Sequence, residues 1–349
     1  MLGIDERALR IVWTIFLFGL LLALIYFLRD TLLIFAGAVF LAYMLSPIVS
    51  LIERFIPRRR TIALAIVYCM LIGLLVLLGF QLVPVVVGQA TNLLTRLPSL
   101  VSGGGLAQLK LPHWLEPVRA QVIAAMNQEA TTLQSKAVPF LQQASSKILS
   151  GLSALLPIVL VPILAFFFLK DARLIRDSIL ATAEDGHQRE TLANIIQDVH
   201  RVLQSYMRAL FLLAVAGFVA WSIFLSAMRY PYELLLAGIA GALEFIPVVG
   251  PAAALVIMAL VVLVTGTGGL LWIVIFWAAF RIFQDYVLNP YLMSSGVEMH
   301  PLLVLFGVLA GEKIGGIAGM FFSVPAMAII RVIYDRLKET HTRRQFTAA

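Results

Sequence analysis

The chain has 349 residues, 61% of them hydrophobic and only 13% charged, with a formal net charge of +7. Soluble domains carry about a quarter charged residues. The composition therefore excludes an ordinary soluble fold and points to an all-α, polytopic helical membrane protein. The basic residues cluster beside apolar runs, as positive-inside bias requires, which makes membrane lipid the expected partner and argues against nucleic acid. A single cysteine, Cys69, excludes an intrachain disulfide. The histidines lack metal-ligand spacing and no HExxH, GxSxG or P-loop pattern occurs. Nothing points to an enzyme, a metal site or a cofactor.

Residues 1–83 read as three spans. Ile11–Leu28 approaches the ~20 residues that cross a bilayer, and no small-residue cleavage site precedes a soluble region, so it is expected to be retained. Arg29-Asp30 makes a tight connection to a second span, Leu32–Ile52. Arg54, Arg58, Arg59 and Arg60 place the next loop in the cytoplasm, and the N-terminus with it. Ile62–Val83 is the third span, heading outward.

Residues 84–150 change character and are expected to form an extracytoplasmic helical region. They hold Pro84, Pro98, Pro112, Pro117 and Pro139, the run Gly103-Gly104-Gly105, and few basic residues. Met126, Ala130, Leu133, Ala137, Leu141, Ala144 and Ile148 recur at the spacing of one amphipathic helix face. The membrane surface, another helix of an assembly, or the same subunit can cover that face. Residues 151–171 carry a fourth span, Leu152–Leu169, which ends in aromatics beside Lys170, an interfacial signature. Residues 172–208 are expected as a cytoplasmic helix lying on the bundle, with an apolar stripe of Leu192, Ile195, Val199, Val202 and Tyr206. His200 has no ligand chemistry beside it and reads as a solvated side chain.

Residues 209–335 are expected to form a transport core with two helix–break–helix units, followed by a basic cytoplasmic tail, 336–349. After a fifth span, Ala209–Met228, the apolar stretch Leu234–Val264 contains Glu244, Pro247, Gly250 and Pro251. Proline removes a backbone donor and blocks the preceding turn, so two half-helices are expected to meet at Ile246–Pro251. A broken backbone at membrane depth survives only where protein or a watery cavity satisfies it, and transporters build their sites from such half-helices. Glu244 is then an ion or substrate group, or a carboxylate near the lipid–water boundary of a kinked span. In the next span, Leu270–Leu288, Arg281, Asp285 and Asn289 share one helical face at four-residue spacing. They line a pathway, or Arg281 and Asp285 neutralise each other at the membrane edge. Asn289-Pro290 is expected to break the helix. Glu298 and His300 put a carboxylate and an imidazole two residues apart. The second unit, Pro301–Ile333, turns through a glycine-dense stretch. Its Gly311, Gly315 and Gly319 would let another backbone approach closely, in a hairpin or an oligomer.

These features occur together in one order: Phe166–Asp171, the Glu244–Pro251 stretch, Asp285 to Asn289-Pro290, and His300-Pro301 through Gly311 and Gly319 to Pro325. In that order and spacing they resemble the autoinducer-2 exporter family of bacterial inner-membrane permeases. The resemblance runs from the first span to the basic tail and is most specific from Leu243 to Pro325. It implies re-entrant hairpins, a homo-oligomer, an inner-membrane location, and export of a quorum-sensing furanone or sodium/proton antiport. Glu312 stands where the family pattern suggests a second glycine.

Three functional classes follow. The first is a gradient-driven secondary transporter exporting a small polar solute, since no ATP-binding motif is present. The second is a sodium/proton antiporter using Glu244, Asp285, Glu298 and His300. The third is a non-transporting membrane scaffold. Both termini are expected in the cytoplasm. Glu244 and Asp285 are expected to face one polar cavity and to take up and release protons during transport.

Overall fold

A chain surrounded by lipid must satisfy its backbone polar groups internally, and a helix does so within one segment. The computed structural model describes residues 6–56, 59–103, 116–150, 156–292 and 300–347, and every regular element in it is helical. In chain order these are α1 (Glu6–Phe27), α2 (Arg29–Phe55), α3 (Arg60–Gly103), α4 (Glu116–Ser150), α5 (Leu156–Leu180), α6 (Gly186–Ala227), α7 (Glu233–Leu243), α8 (Val249–Thr265), α9 (Leu270–Phe283) and α10 (Pro301–Thr347). Among the described residues α2, α3, α6, α9 with its extension to Leu292, and α10 are long and apolar enough to cross a membrane. Their large side chains are widely exposed, for example Leu77, Ile223 and Leu309. Such surface suits hydrocarbon, not water.

Two packed units sit side by side. In the first, small residues bring α2, α3 and α5 together: Ala38 and Ala42, Ala63, and Ala165 are all buried. Arg60 ties their common end, donating to the Leu169 carbonyl at 2.8 Å and pairing with Glu53 at 3.5 Å. The second unit packs α6 through α9 around Trp221, Leu225, Leu236, Met258 and Ile273. There Phe224 and Phe276 stack with ring centroids 4.1 Å apart.

The two broken segments are both antiparallel hairpins. α7 and α8 enter and leave on one side. The Tyr230 hydroxyl, just before α7, donates to the Gly269 carbonyl just after α8, at 3.0 Å. With 11 residues, α7 is about 16 Å long, roughly half the hydrocarbon thickness. The first arm alone is thus too short to cross a bilayer, and the two arms meet at a tip and do not continue as one straight span. The second hairpin is α10, whose helical geometry fails at Gly315 and Gly316. Gly311 and Gly319 lie on opposite arms with their backbones in contact, so a Cβ on either would strike the carbonyl of the other. The small residues do not share one helical face for another helix, because the bend at Gly315–Gly316 folds that face onto itself. The tip touches α2, with Gly315 beside Leu33.

Other expectations change in detail. Arg29-Asp30 does not fold the chain back: Leu28 donates to Leu24 O and Leu32 donates to Leu28 O, carrying the helical ladder from α1 into α2. α3 has 44 residues, about 66 Å, twice the hydrocarbon thickness. Its far end packs on α4 through Val101 and Ala130, with Val264 of α8 beside them. Met126 joins this contact within the same subunit, whereas Leu133 is exposed. Residues 172–208 are shared between the end of α5 and the first half of α6. That half of α6 packs on the second arm of α10 through Val199, Val202, Ala328 and Val332. The pair Arg336–Asp198 closes this seam, with the Arg336 Nε to Asp198 Oδ2 distance 2.6 Å. His200 stands 3.2 Å from the Tyr43 hydroxyl of α2.

The glycine contact sets an expectation. Gly311→Leu forces a side chain into the opposing backbone and should destabilise by about 1–3 kcal/mol or more, as overpacking does. Gly315→Ala meets only the flexible Leu33 side chain and should be nearly neutral. Thermal unfolding in detergent separates them, and equal melting temperatures would contradict the hairpin contact.

Candidate functional site

The tip of the first hairpin, Glu244–Val248, is held by several close contacts. Ile246 N–H donates to Leu243 O at 2.9 Å and Gly250 N–H donates to Ile246 O at 2.9 Å. Val249 N–H donates to Pro247 O at 2.7 Å across Val248, whose φ of 67° and ψ of −56° make a γ-turn. A positive φ is costly for a β-branched residue, and strain of this kind collects at functional sites. A Cβ on Gly250 would collide with the Leu243 carbonyl, so glycine is what allows the arms to close. The break lies at Glu244–Val248, and Pro251 sits in the first turn of α8, where a missing N–H costs nothing. At the other end, Gln89 of α3 accepts from Leu235 N–H at 2.9 Å and caps the α7 half-helix.

Glu244 points from this tip between α6 and α9. Gly217 of α6 makes the room: a Cβ there would come within 3.2 Å of the Glu244 Cγ. From α9, Gln284 Nε2 donates to Glu244 Oε2 at 2.8 Å. Gln284 is only 2% exposed and opens a π-helical turn, Gln284–Leu288. Such turns recur at functional sites. Arg281 donates to Gln284 Oε1 at 3.4 Å and pairs with Asp285 at 2.9 Å. Asn289 Nδ2 donates to Asp285 Oδ1 at 3.1 Å. A continuous polar chain thus runs from Glu244 through Gln284, Arg281 and Asp285 to Asn289.

This chain borders a cavity of about 280 Å³ between α6, the hairpin tip, α9 and both arms of α10. Glu244, Pro247, Pro251, Arg281 and Asn289 line it, while Asp285 is not among the lining residues. Much of the wall is aliphatic, with Val202, Leu210, Leu213, Val304 and Val324. Two buried polar atoms at this cavity, Tyr206 Oη and Asn289 Oδ1, have no hydrogen-bond partner among the described residues. Buried polar atoms in folded proteins are nearly always paired, so both are sites of local strain beside the cavity wall. Phe245, beside Glu244, meets Phe40 of α2 and Phe321 of α10 with centroids 5.9 and 5.5 Å away. The hairpin tip is thereby wedged against both neighbours.

The remaining candidates lie elsewhere. Asn289-Pro290 does not end the helix. The π-turn carries it to Leu292, and Asn289 N–H donates to Gln284 O. Exposed His300 starts the first arm of α10, where its Nδ1 accepts from Leu302 N–H at 3.2 Å. Glu298 lies outside the described residues. Glu312 pairs with its exposed neighbour Lys313 at 3.3 Å, near the tip of the second hairpin. Nothing in the sequence pattern marks Gln284 as the partner of Glu244, which lies forty residues away. Tyr206 reads as part of an apolar stripe, since tyrosine at helical spacing carries no sign of an unpaired hydroxyl.

Comparison with known proteins shows what the chain is similar to as a whole. The family model described as AI-2E family transporter covers residues 15–339. The chain is 25% identical over 306 residues to "Putative transport protein YueF" of Bacillus subtilis, covering 84% of this chain and 80% of the relative. It is 27% identical over 294 residues to a "Putative transport protein" of Methanothermobacter thermautotrophicus, with 82% of both chains covered. With "Putative permease PerM" of Escherichia coli K12 it shares 26% over 309 residues, 85% of this chain and 84% of the relative.

Replacing Gln284 by leucine removes the donor to Glu244 inside a buried site. A loss of about 1–3 kcal/mol is expected for the group left unsatisfied, read as a lower melting temperature. Gly250→Ala should also lower it, by forcing the arms apart at Leu243. A melting temperature unchanged in both variants would contradict the described tip.

Proposed function

Because the chain belongs to the AI-2E transporter family, we propose that it is a secondary, gradient-driven transporter that moves a small solute outward across the bacterial inner membrane. The observation that carries this reading is the cavity at the tip of the first hairpin, with Glu244 in its wall and two unpaired polar atoms beside it. Half-helices meeting at mid-membrane form transporter sites because their ends present unsatisfied backbone and polar side chains away from lipid. Two hairpins on opposite sides of the cavity supply the moving parts: the tip wedged by Phe245 and the second arm of α10 sliding on α6. The family's transport role agrees with this site, and no ATP-binding motif occurs in the sequence.

Proton coupling through Glu244 fits the same geometry. Arg281 and Asp285 neutralise each other at 2.9 Å, whereas the partner of Glu244 is a neutral amide. Arg281, Asp285 and Tyr206 are the other ionisable groups beside it. A proton and a solute drive transport only if each favours a different state of the protein. Glu244→Gln mimics the protonated form and still offers an oxygen to Gln284. Flux in proteoliposomes should become independent of pH in this variant while the protein stays folded. Wild-type pH dependence would leave Glu244 as a structural cap on the hairpin.

Sidedness follows the basic residues. Arg54, Arg59, Arg60, Lys170, Arg173 and Arg336 flank the ends of apolar helices, which supports a cytoplasmic C-terminus, whereas the helical ladder running from α1 into α2 carries the N-terminus away from the Arg54 end. Ser102 is exposed near the far end of α3. A cysteine there, in a chain whose Cys69 is replaced, should react with an impermeant thiol reagent added outside. Labelling from the cytoplasmic side alone would invert the topology. The proposed homo-oligomer is tested by the mass of the detergent-solubilised particle.

A further inference from the structure

The cavity and the seam that ends it share residues. Val202 on α6 and Ala328 on α10 line the cavity, and both pack in the seam with Val199 and Val332. Asp198 lies one helical turn from Val202, and Arg336 one turn from Val332. Along this edge α6 and the second arm of α10 therefore run antiparallel. Glu244 meets α6 at Gly217, so the Asp198–Arg336 pair lies at the opposite end of the cavity. α6 is anchored at this end, since His200 stands 3.2 Å from the Tyr43 hydroxyl of α2, and its other half packs in the Trp221 cluster. The second arm of α10 follows the glycine bend at Gly315–Gly316, so it is the element placed to swing.

The charges at this end form a row of alternating sign. Arg336 Nε and Nη2 both reach one Asp198 oxygen, Oδ2. The other oxygen, Oδ1, is 3.3 Å from Arg201 Nη1, on the same helix as Asp198. Arg336 Nη1 in turn is 3.1 Å from Glu339 Oε2, three residues along its own arm. In the row Arg201–Asp198–Arg336–Glu339 the central pair crosses between the helices, and each outer pair lies within one helix. Parting the helices thus leaves two closed intrahelical pairs and strands neither central charge. A buried pair without such a reserve resists parting, because losing one partner leaves the other charge uncompensated. The Asp198 side chain is 17% exposed and that of Arg336 36%, so solvent reaches the pair as it opens.

We propose that Asp198 and Arg336 are the latch of a gate that closes the cavity at the end nearest the C-terminal segment. The gate opens when the second arm of α10 parts from α6, with Asp198 kept by Arg201 and Arg336 by Glu339. While it is closed, the aliphatic seam of Val199, Val202, Ala328 and Val332 shuts water out beneath the latch. Charge-assisted hydrogen bonds are the strong kind, and here the reserve partners offset their loss, so the two positions of the arm differ little in free energy. This rests on the transport reading, for which it supplies one of the gates that alternating access requires.

Gate opening is measured without flux, so the two readings fail separately. Ser205 lines the cavity three residues past Val202, and Ser205→Cys is made in a full-length chain that carries Cys69→Ser. The purified protein in detergent is treated with a cationic and, separately, an anionic methanethiosulfonate, and the rate of modification is followed. Arg336→Ala should speed both reagents roughly three- to tenfold, the scale of a half-exposed ion pair. Arg336→Lys, which keeps the charge, should stay near the parent rate. Glu339→Gln and Arg201→Gln each remove a reserve partner and should slow both reagents, whereas general loosening of the fold would speed them in every variant. Circular dichroism and gel filtration confirm that each variant is folded, and Asp198→Asn serves if Arg336→Ala is not. Unchanged rates in Arg336→Ala, opposite changes for the two reagents, which would mark a field effect alone, or faster labelling in Glu339→Gln and Arg201→Gln would each overturn the proposal. The expected rates in a protein that moves no solute in liposomes would instead count against transport.

Discussion

The hydrogen bond from Gln284 to Glu244 holds the centre of this protein together. It joins the tip of the first hairpin to α9 at the wall of the cavity. Without it, a carboxylate and a 2%-exposed amide would both stand unsatisfied in the most apolar third of the chain. Gly217 leaves space for the carboxylate, the π-turn presents the amide, and Arg281 fixes the amide from its other side. Each of these features exists on a different element, yet all act on one contact.

The two hairpins meet the same lipid constraint by different means. In the first, irregular backbone is satisfied locally by the tight turns at Ile246, Val249 and Gly250 and by the Gln89 cap at its entrance. In the second, the helical ladder runs almost to the bend, and the arms need only approach closely, which Gly311 and Gly319 permit. The first tip is therefore polar and chemically equipped, while the second is a packing device. Phe40 of α2 makes edge-to-face contact with Phe245 at the first tip and with Phe321 on the second arm of α10.

The long helices set this core in its frame. α6, with 42 residues, is about 63 Å long, so it lines the cavity and still carries Asp198 to the Arg336 pair beyond it. α3 projects as far in the opposite direction and meets α8 through Val101 and Val264.

Composition and local chemistry in the sequence determined the helical membrane class, the order of apolar segments, and the breaks near Pro247 and between Gly311 and Gly319. These are short-range properties: apolar length decides a span, and proline and glycine decide where a helix cannot continue. The sequence also marked Glu244, Arg281 and Asp285, because charge inside an apolar run is costly wherever it folds. It left open what compensates each charge. The Arg281–Asp285 pair was visible at four-residue spacing on one helix, whereas Gln284 is forty residues from Glu244 and reaches it only through the crossing of α9 over the hairpin tip. Likewise, Tyr206 becomes a cavity group and Gly311 a partner of Gly319 only after the chain folds back. Local propensity acts through neighbours along the backbone, but hydrogen-bond satisfaction in a low dielectric is decided by neighbours in space, and those only tertiary packing supplies.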